Sequence, residues 1–440
     1  MEAAMKRRTF FGSTLGAGAL TATTGCGGQQ EAAAPVDNSK LIGAIGTKKL
    51  EQLMEQYRFD LFDDFLEFYD RYVIDHELGG FMCNVAHNGT LTTEEKGTWY
   101  LGRGSWCYSF LYNNIAKEQK YLDVASKAIR MIKRHKPDGD NYWPSSLSKK
   151  GSVLNPKGGL PGDCYIAEGL AEYSKATGDP NSMKLAKDTM RKCWKHYMSP
   201  EFQDGSSPYP GAKNLWYWML FMWFGTNMLP LEPDDELEER TAICVDAIMN
   251  HHVNPKFDLM NNIINHDLTT SNDPKYSELA GCGHATEALW MVMYEALRLK
   301  DKTLFERASE SFRRHVEVSW DDVYGGVFNN CRNVDENDWQ LVKIHWAEVF
   351  VLMGSLPVIE HTNAEWAKSW FDRQNTWIRE NFLLAPHGYH LWKATVDRKA
   401  TFDPKPGRKD IYHHPRHLML NYLSLQRMIE RGGTVSDAFV

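Results

Sequence analysis

No Cys-x-x-Cys pair occurs in the chain, and its 8 cysteines in 440 residues follow no regular spacing. That absence speaks against a zinc site or a disulfide framework and leaves the cysteines as small buried hydrophobes. Basic residues are also in deficit: 50 Lys and Arg stand against 57 Asp and Glu, a formal net charge of −7. A net-acidic surface argues against nucleic acid as a partner. Beyond the N-terminal leader no apolar run is long enough to span a bilayer, since "LWYWMLFMWFGTNML" is short and interrupted by Gly and Asn. Alternating strand patterns are scarce. What is present, 42% hydrophobic and 24% charged residues, suits a globular chain that closes its core in one or two domains.

Residues 1–26 read as an export signal: Arg7 and Arg8 are adjacent, Phe10 and Phe11 follow, and a small, apolar run ends at Cys26. The paired arginines suggest the twin-arginine route. "TTGC" resembles a lipoprotein cleavage box with Thr23 where leucine is usual, so two forms stay open: a lipid anchor at Cys26, or a soluble periplasmic protein. The odd number of cysteines after Cys26 suits export of a chain already folded in a reducing cytoplasm. Residues 27–46 read as a small-residue linker, 47–432 as one continuous domain, and 433–440 as a tail.

Within that domain about twelve segments have helical period. Some are nearly apolar throughout and rich in Trp ("LWYWMLFMW", "VKIHWAEVFVLMG"), and others are charged and amphipathic ("NSMKLAKDTMRKCWKHY", "TLFERASESFRRHVEV"). Between them, "DHELGGFMCNVAHNGTL" at 75–91 and "DDVYGGVFNNCRNVDEN" at 321–337 share an acidic residue, a Gly-Gly turn and a polar return, with a weaker copy at 385–397. Each reads as a short β-hairpin after a helix. Recurring helix, hairpin, helix units predict an all-α (α/α)6 barrel, apolar helices forming an inner ring and amphipathic ones an outer ring. A two-domain, all-helical protein is the alternative.

Several of the 15 Trp and 19 Tyr residues stand beside polar groups at helix starts: Trp99, Tyr100, Trp106, Trp346 and Tyr412. Aromatic faces stack on sugar rings while their edges hydrogen bond; the competing use is to fill the wide centre of a toroid. Arg103 lies one turn from both Trp99 and Trp106. On an otherwise apolar face, an arginine either pairs with a carboxylate or faces an open funnel. His284 and Glu287 are neighbours at a helix N-terminus, where the dipole disfavours an imidazolium. Alone, His284 reads first as a hydrogen-bonded core histidine; its His-x-x-Glu spacing lacks the second His of a metalloprotease, and no zinc ligand set is visible. Tyr412, His413, His414, Arg416 and His417 crowd the start of the last helix, with Pro415 suited to its first turn.

"RGSWCYSFLY", "GHATEALW" and "YHHPRHL", in that order, resemble motifs of the N-acylglucosamine 2-epimerase family, which includes cellobiose 2-epimerases and sugar aldose–ketose isomerases. The resemblance runs over roughly residues 48–432. It implies an (α/α)6 barrel acting on a mono- or disaccharide without metal or cofactor. His284 and His413 would be the acid–base pair, Arg103 the group that steadies charge on the sugar oxygens, and Glu287 the residue that positions or tunes His284. Trp99, Trp106, Tyr412 and Arg416 are then expected to touch substrate. The chemistry makes independent sense: the C2 proton of an open-chain aldose is acidified by its carbonyl, a base near neutral pKa removes it, and the enediolate needs a cationic donor. Reprotonation of the opposite face of C2 gives the epimer; reprotonation at C1 gives the ketose.

One segment departs from the family. Where relatives carry Asn-x-His-x-His, this chain keeps Asn214 but has Trp216 and Trp218; that leaves open a different sugar, another route of ring opening, lost activity, or two indoles that stack on a saccharide. "HWAEVF" loosely resembles an aromatic-Glu helix and adds His345 and Glu348 as substrate contacts. Two other functions stay open: a glycoside or unsaturated-uronide hydrolase, for which Asp163, Glu287 and Glu348 are the nominated acids, and a non-catalytic saccharide-binding lipoprotein.

Overall fold

Two kinds of helix alternate along the chain, and that alternation builds the architecture. In the computed structural model, which describes residues 40–403, 407 and 409–439, α1 (Leu50–Phe59) continues through π-helical turns at Asp60–Leu66 and Tyr69–Val73. Then come α2 (Thr98–Asn114), α3 (Gln119–Arg134), α4 (Leu160–Thr177), α5 (Pro180–Tyr197), α6 (Leu215–Met228) and α7 (Asp235–Asp246). A one-turn α8 (Pro274–Ser277) precedes α9 (Cys282–Leu299), α10 (Lys302–Ser319), α11 (His345–Thr362), α12 (Glu365–Phe382) and α13 (His413–Glu430). The leader, Cys26 and the linker before residue 40 lie outside the described residues.

The two classes follow from their residues. α3 buries Tyr121, Leu122, Ala125, Ala128, Ile129 and Ile132, one stripe at three- and four-residue spacing, and leaves its charged face in water. α11 is buried without a break from Ala347 to Glu360, so it has neighbours on every side. α2, α4, α6, α9, α11 and α13 each pack on the next, and α13 returns to α2, which closes an inner ring of six. α3, α5, α7, α10, α12 and α1 pack outside them. This is the expected (α/α)6 barrel.

Where an inner helix leads to its outer partner the link is short. Asp179, Asp234 and Asp301 accept backbone N–H bonds from Asn181, Leu237 and Leu304 and so cap α5, α7 and α10. Where an outer helix leads to the next inner one the loop is long, so the loops gather at the N-terminal ends of the inner helices. The Gly-Gly segments lie there. Gly325 and Gly326 have φ of 72° and 75°, and a Cβ on either would meet the Trp377 ring within 2.5 Å. Each Gly-Gly turn is closed by single bridges, Ile74 to Phe81 and Trp320 to Val327. In the second, the predicted hairpin lies just beyond the turn, Cys331–Asn333 pairing with Asp338–Trp339.

The domain edges differ from the expected 47 and 432. Ile42 and Ile45, assigned to the linker, are buried, and residues 433–439, assigned to a tail, fold back on the barrel. Ile42 N–H donates to Gly433 O at 2.7 Å, Val435 N–H to Lys40 O at 2.9 Å, and Phe439 packs on Phe305 with ring centroids 5.2 Å apart. Among the described residues no helix is long and apolar enough to cross a membrane, and the seven described cysteines are buried.

Three buried lysines tie the long loops to the ring. Lys96 Nζ donates to Asp75 Oδ2 at 2.7 Å and to the carbonyls of Gly79 and Lys149 at 2.7 and 2.9 Å. Lys343 repeats the device with Asp321 Oδ2 at 3.1 Å and with the carbonyls of Gly325 and Arg398. Lys213 donates to Tyr197 O. Each lysine stands three residues before a tryptophan of an inner helix start: Trp99, Trp216 and Trp346. Breaking a buried pair strands its partner, so Lys96→Met is expected to lower unfolding free energy by about 3 kcal/mol. Lys184→Ala, which breaks the exposed 2.6 Å pair with Asp188, should cost about 0.5 kcal/mol or less. Denaturant midpoints at constant slope measure both, and equal midpoints for the two variants would refute the staple.

Candidate active site

A cavity of about 540 Å³ opens among the long loops, and the first turns of all six inner helices contribute to its wall. α2 supplies Trp99, Tyr100 and Arg103; α4 Tyr165; α6 Trp216 and Met219; α9 His284 and Glu287; α11 His345 and Trp346; α13 His413 and His414. Six helix N-termini therefore aim their positive ends at one space, a field that favours negative charge there. Phe65 and Tyr69 come from the π-helical stretch, and Trp392, Lys393, Lys409 and Asp410 from the last long loop.

The closest crossing in the ring places Arg103. A Cβ on Gly102 would sit 2.6 Å from the Tyr165 carbonyl, and one on Gly169 would sit 2.5 Å from Gly102 O, so only glycines let α2 and α4 approach this far. The Arg103 guanidinium then lies 4.0 Å from the Tyr165 ring centroid, 4.6 Å from Trp99 and 5.0 Å from Tyr412. Among the described residues it has no carboxylate within salt-bridge distance, and its Nε has no hydrogen-bond partner. Of the two expectations for it, the open funnel is the one observed.

His413 and His284 are both half-buried on the cavity wall, with different support. His413 Nδ1–H faces Asp410 Oδ2 at 2.7 Å, while Asp410 Oδ1 accepts the backbone N–H groups of Tyr412 and His413 at 2.8 and 2.9 Å. Burial pushes the Asp410 carboxyl up, but the facing imidazole outweighs it and holds the group well below the usual carboxylate range. His284 Nδ1–H faces the Asn262 amide oxygen at 3.3 Å. Its ring lies between two indoles, Trp346 at 5.1 Å and Trp216 at 6.4 Å between centroids, each inclined by 14°. Burial lowers both imidazoles, and Asp410 opposes the shift at His413. With Nδ1 committed in each ring, Nε2 is left as the lone-pair nitrogen.

A second layer stands behind the wall. Arg416 is fully buried and donates to Glu287 Oε1 at 2.5 Å, with its guanidinium 4.4 Å from the Tyr412 ring. Tyr412 O–H donates to Glu168 Oε2 at 2.6 Å, and burial pushes the Glu168 carboxyl up to about 7.

The placement of the expected residues divides accordingly. His284, His413, Arg103, Glu287, Trp99, Trp216 and His345 line one cavity. The expectation that Trp106, Tyr412, Arg416, Trp218 and Glu348 touch substrate is corrected, because none of the five lies on the wall. Trp106 stacks on Phe110 at 4.8 Å and meets Tyr412 edge-on, and Tyr412 and Arg416 hold the second layer. Trp218 turns outward to Trp194 and Tyr197. Glu348 accepts from Val327 N–H and from Gln374 Nε2 at 2.7 Å, and burial pushes it up to about 8. Asp163 likewise holds structure, accepting from Lys192 Nζ at 2.6 Å and Trp143 N–H at 3.0 Å. Asp410, Tyr69, Tyr165 and Trp392 escaped sequence reasoning. The repeated Lys-x-x-Trp spacing was a usable signal for the wall tryptophans, and Asp410, three residues before His413, for its partner.

Comparison with known proteins bears on the fold and the family. A cellobiose 2-epimerase of Bacteroides fragilis is 29% identical over 140 residues, 31% of this chain and 35% of that relative, so the match spans about a third of the relative's length. In fold the chain is similar to a sugar epimerase from a ruminal bacterium, TM-score 0.73 at 18% identity over 86% of this chain and 99% of that one. A D-mannose isomerase gives TM-score 0.70 at 14% identity, over 86% and 97%. The family model described as N-acylglucosamine 2-epimerase (GlcNAc 2-epimerase) matches residues 79–416, a span that runs from the first Gly-Gly turn to Arg416 and takes in the first two motifs and the third as far as its arginine. On that match the chain belongs to the N-acylglucosamine 2-epimerase family.

Proposed function

We propose that this protein is a sugar 2-epimerase or aldose–ketose isomerase that moves the C2 proton of an open-chain sugar through His284 and His413. The observation that carries the reading is the pairing of two lone-pair imidazoles, one backed by Asp410 and one by Asn262, on a wall that also presents an arginine free of a carboxylate. One imidazole takes the proton from C2, and the bonding electrons pass through C1 to its carbonyl oxygen. The enediolate oxygens draw on Arg103 and on the converging helix N-termini. For epimerisation the first imidazolium releases its proton to solvent, and the second imidazole takes one up and delivers it to the opposite face of C2 as the C1 carbonyl re-forms; for isomerisation the first imidazolium delivers its proton to C1 while the C2 hydroxyl proton passes to O1 and the C2 carbonyl forms. Atoms and charge balance with protein groups and solvent protons, so the reaction as proposed is cofactor-independent.

Trp216, which replaces a family histidine, stacks beside His284, so it limits where that ring can point and offers an apolar face to a sugar. Hydrolysis draws less support: among the described residues the acids on the wall are Glu287 and Asp410, and each is already bound to a cation or imidazole. The twin-arginine reading of the leader adds that the enzyme acts after export.

The direct test follows C2–H by proton NMR in D2O with glucose, mannose, N-acetylmannosamine and cellobiose. On at least one sugar the signal should disappear with formation of the C2 epimer or the ketose, and His413→Ala or His284→Ala should slow exchange by about 10²–10⁴-fold. Full exchange in both variants removes the assignment; release of new reducing ends without exchange points to hydrolysis, and binding with neither to a passive receptor.

The pH profile tests the support of His413. Because both imidazoles titrate below their ordinary value, kcat/KM should rise through an acidic limb below about 6.5 and level off near neutrality. Asp410 favours the imidazolium, so Asp410→Asn should move the limb to lower pH while the plateau falls by on the order of tenfold or more. A limb that moves upward, or an unchanged plateau, contradicts the role given to Asp410.

A further inference from the structure

A buried polar atom without a hydrogen bond costs free energy unless a ligand or solvent completes it. Apart from Trp99 Nε1 and Arg103 Nε, such atoms on this cavity wall form one group. Tyr69 Oη, His345 Nε2, Trp392 Nε1 and both ring nitrogens of His414 have no partner among the described residues, and all four residues are buried and line the cavity. They form one patch although they come from four separate segments. The His414 ring lies 4.8 Å from Trp392, 4.9 Å from His345 and 5.9 Å from Phe65, and Phe65 stacks on Tyr69 at 4.0 Å.

Unpartnered ring nitrogens also occur in the core, at His252 and His417 for example, whereas His315 uses both of its own, Nε2 with Met260 N–H at 2.9 Å and Nδ1 with Ser311 O at 2.7 Å. What sets the four residues apart is their position on the cavity wall, where a ligand can supply the partner.

Their chemistry names that partner. Burial drives His345 down to about 4 and His414 well below its ordinary value, so both rings are neutral near pH 7. A neutral imidazole donates once and accepts once, a phenol does both, and an indole donates. That set matches hydroxyl groups, which also donate and accept, and it carries no charge to offset a carboxylate or phosphate. The nearby lysines are occupied: Lys393 Nζ donates to Asn381 O at 2.9 Å, and Lys409 Nζ faces His87 Nδ1 at 2.7 Å. His413 and His414 are consecutive in the first turn of α13, so their side chains diverge by about 100°. A substrate whose C2 sits at His413 therefore has its remaining carbons within reach of the His414 side.

We propose that Tyr69, His345, His414 and Trp392 form a subsite for the uncharged, hydroxyl-bearing part of the substrate remote from the reacting carbons. The subsite makes the enzyme prefer neutral sugars over uronates and sugar phosphates. This assignment rests on the proton-transfer reading above.

Tyr69→Phe removes one hydroxyl that has no protein partner, so its melting temperature should equal that of the wild type or exceed it. Kinetics of C2 exchange are measured for wild type, Tyr69→Phe and His414→Leu on a hexose that is turned over, its 4-deoxy and 6-deoxy forms, and its uronate. For Tyr69→Phe, KM should rise about threefold to tenfold, a larger change than in kcat. The penalty should vanish on the deoxy sugar that lacks the paired hydroxyl, and the wild type should handle the uronate at least tenfold less well. Unchanged KM in both variants, or the same penalty on every sugar, overturns the subsite while the reaction stands. No exchange with any sugar overturns both.

Discussion

Everything at this site depends on holding charge in a wall made of aromatic rings, where water is too scarce to solvate it. An ionised group in such a place is tolerated only with a partner, and the partners are visible: Lys96 with Asp75, Lys343 with Asp321, Arg416 with Glu287, His413 with Asp410. These pairs occupy different depths and do different work. The lysines lie at the rim and join loops to helix starts; Arg416, behind the wall, holds Glu287 on it and joins α13 to α9. Asp410 and His413 face the cavity. Arg103 is the exception, flanked by the rings of Trp99, Tyr165 and Tyr412, with its Nε uncommitted among the described residues.

The circular architecture turns these local solutions into one site. An inner helix meets its outer partner through a short link and the next hairpin through a long loop, so the six inner N-termini and the loops end up on the same face. Residues in the first turn of each inner helix become neighbours although they are hundreds of positions apart in sequence. Their side chains share six converging dipoles, which oppose imidazolium and welcome an anion. That field is matched to the enediolate of the proposed reaction, while burial lowers the two histidines.

Much of this was legible in sequence, and the misses share a cause. Apolar and amphipathic helices alternate so regularly that the ring, its two layers and the Gly-Gly loops follow from periodicity. His284, His413 and Arg103 follow from motifs at helix starts. Periodicity places residues on a face but does not say which neighbour that face meets. Trp216 and Trp218 stand two positions apart on α6 and so point to different neighbours, one to the cavity and one to α5. Trp106, one turn beyond Arg103, is already too deep to reach the cavity. Tyr412 and Arg416 are four apart and stack on one another behind it. Glu348 sits near a wall residue, yet its carboxylate is consumed by Val327 and Gln374 from a loop and an outer helix. Asp410 was missed because its importance is a distance, 2.7 Å to His413, and not a pattern.

The support of the two imidazoles is unequal, and on the proposed reaction that inequality has a defined reach. A carboxylate behind His413 steadies the proton once it arrives, whereas an amide and two indoles around His284 give it less help. Removing a proton is therefore easier for His413, and delivering one is easier for His284. The asymmetry leaves the equilibrium between epimers unchanged, since a catalyst lowers the barrier equally in both directions. It acts on which proton transfer limits the rate from each epimer, and so on how much solvent isotope enters before product forms. Trp216 sharpens this inequality, because an indole next to His284 adds an apolar face and carries no proton.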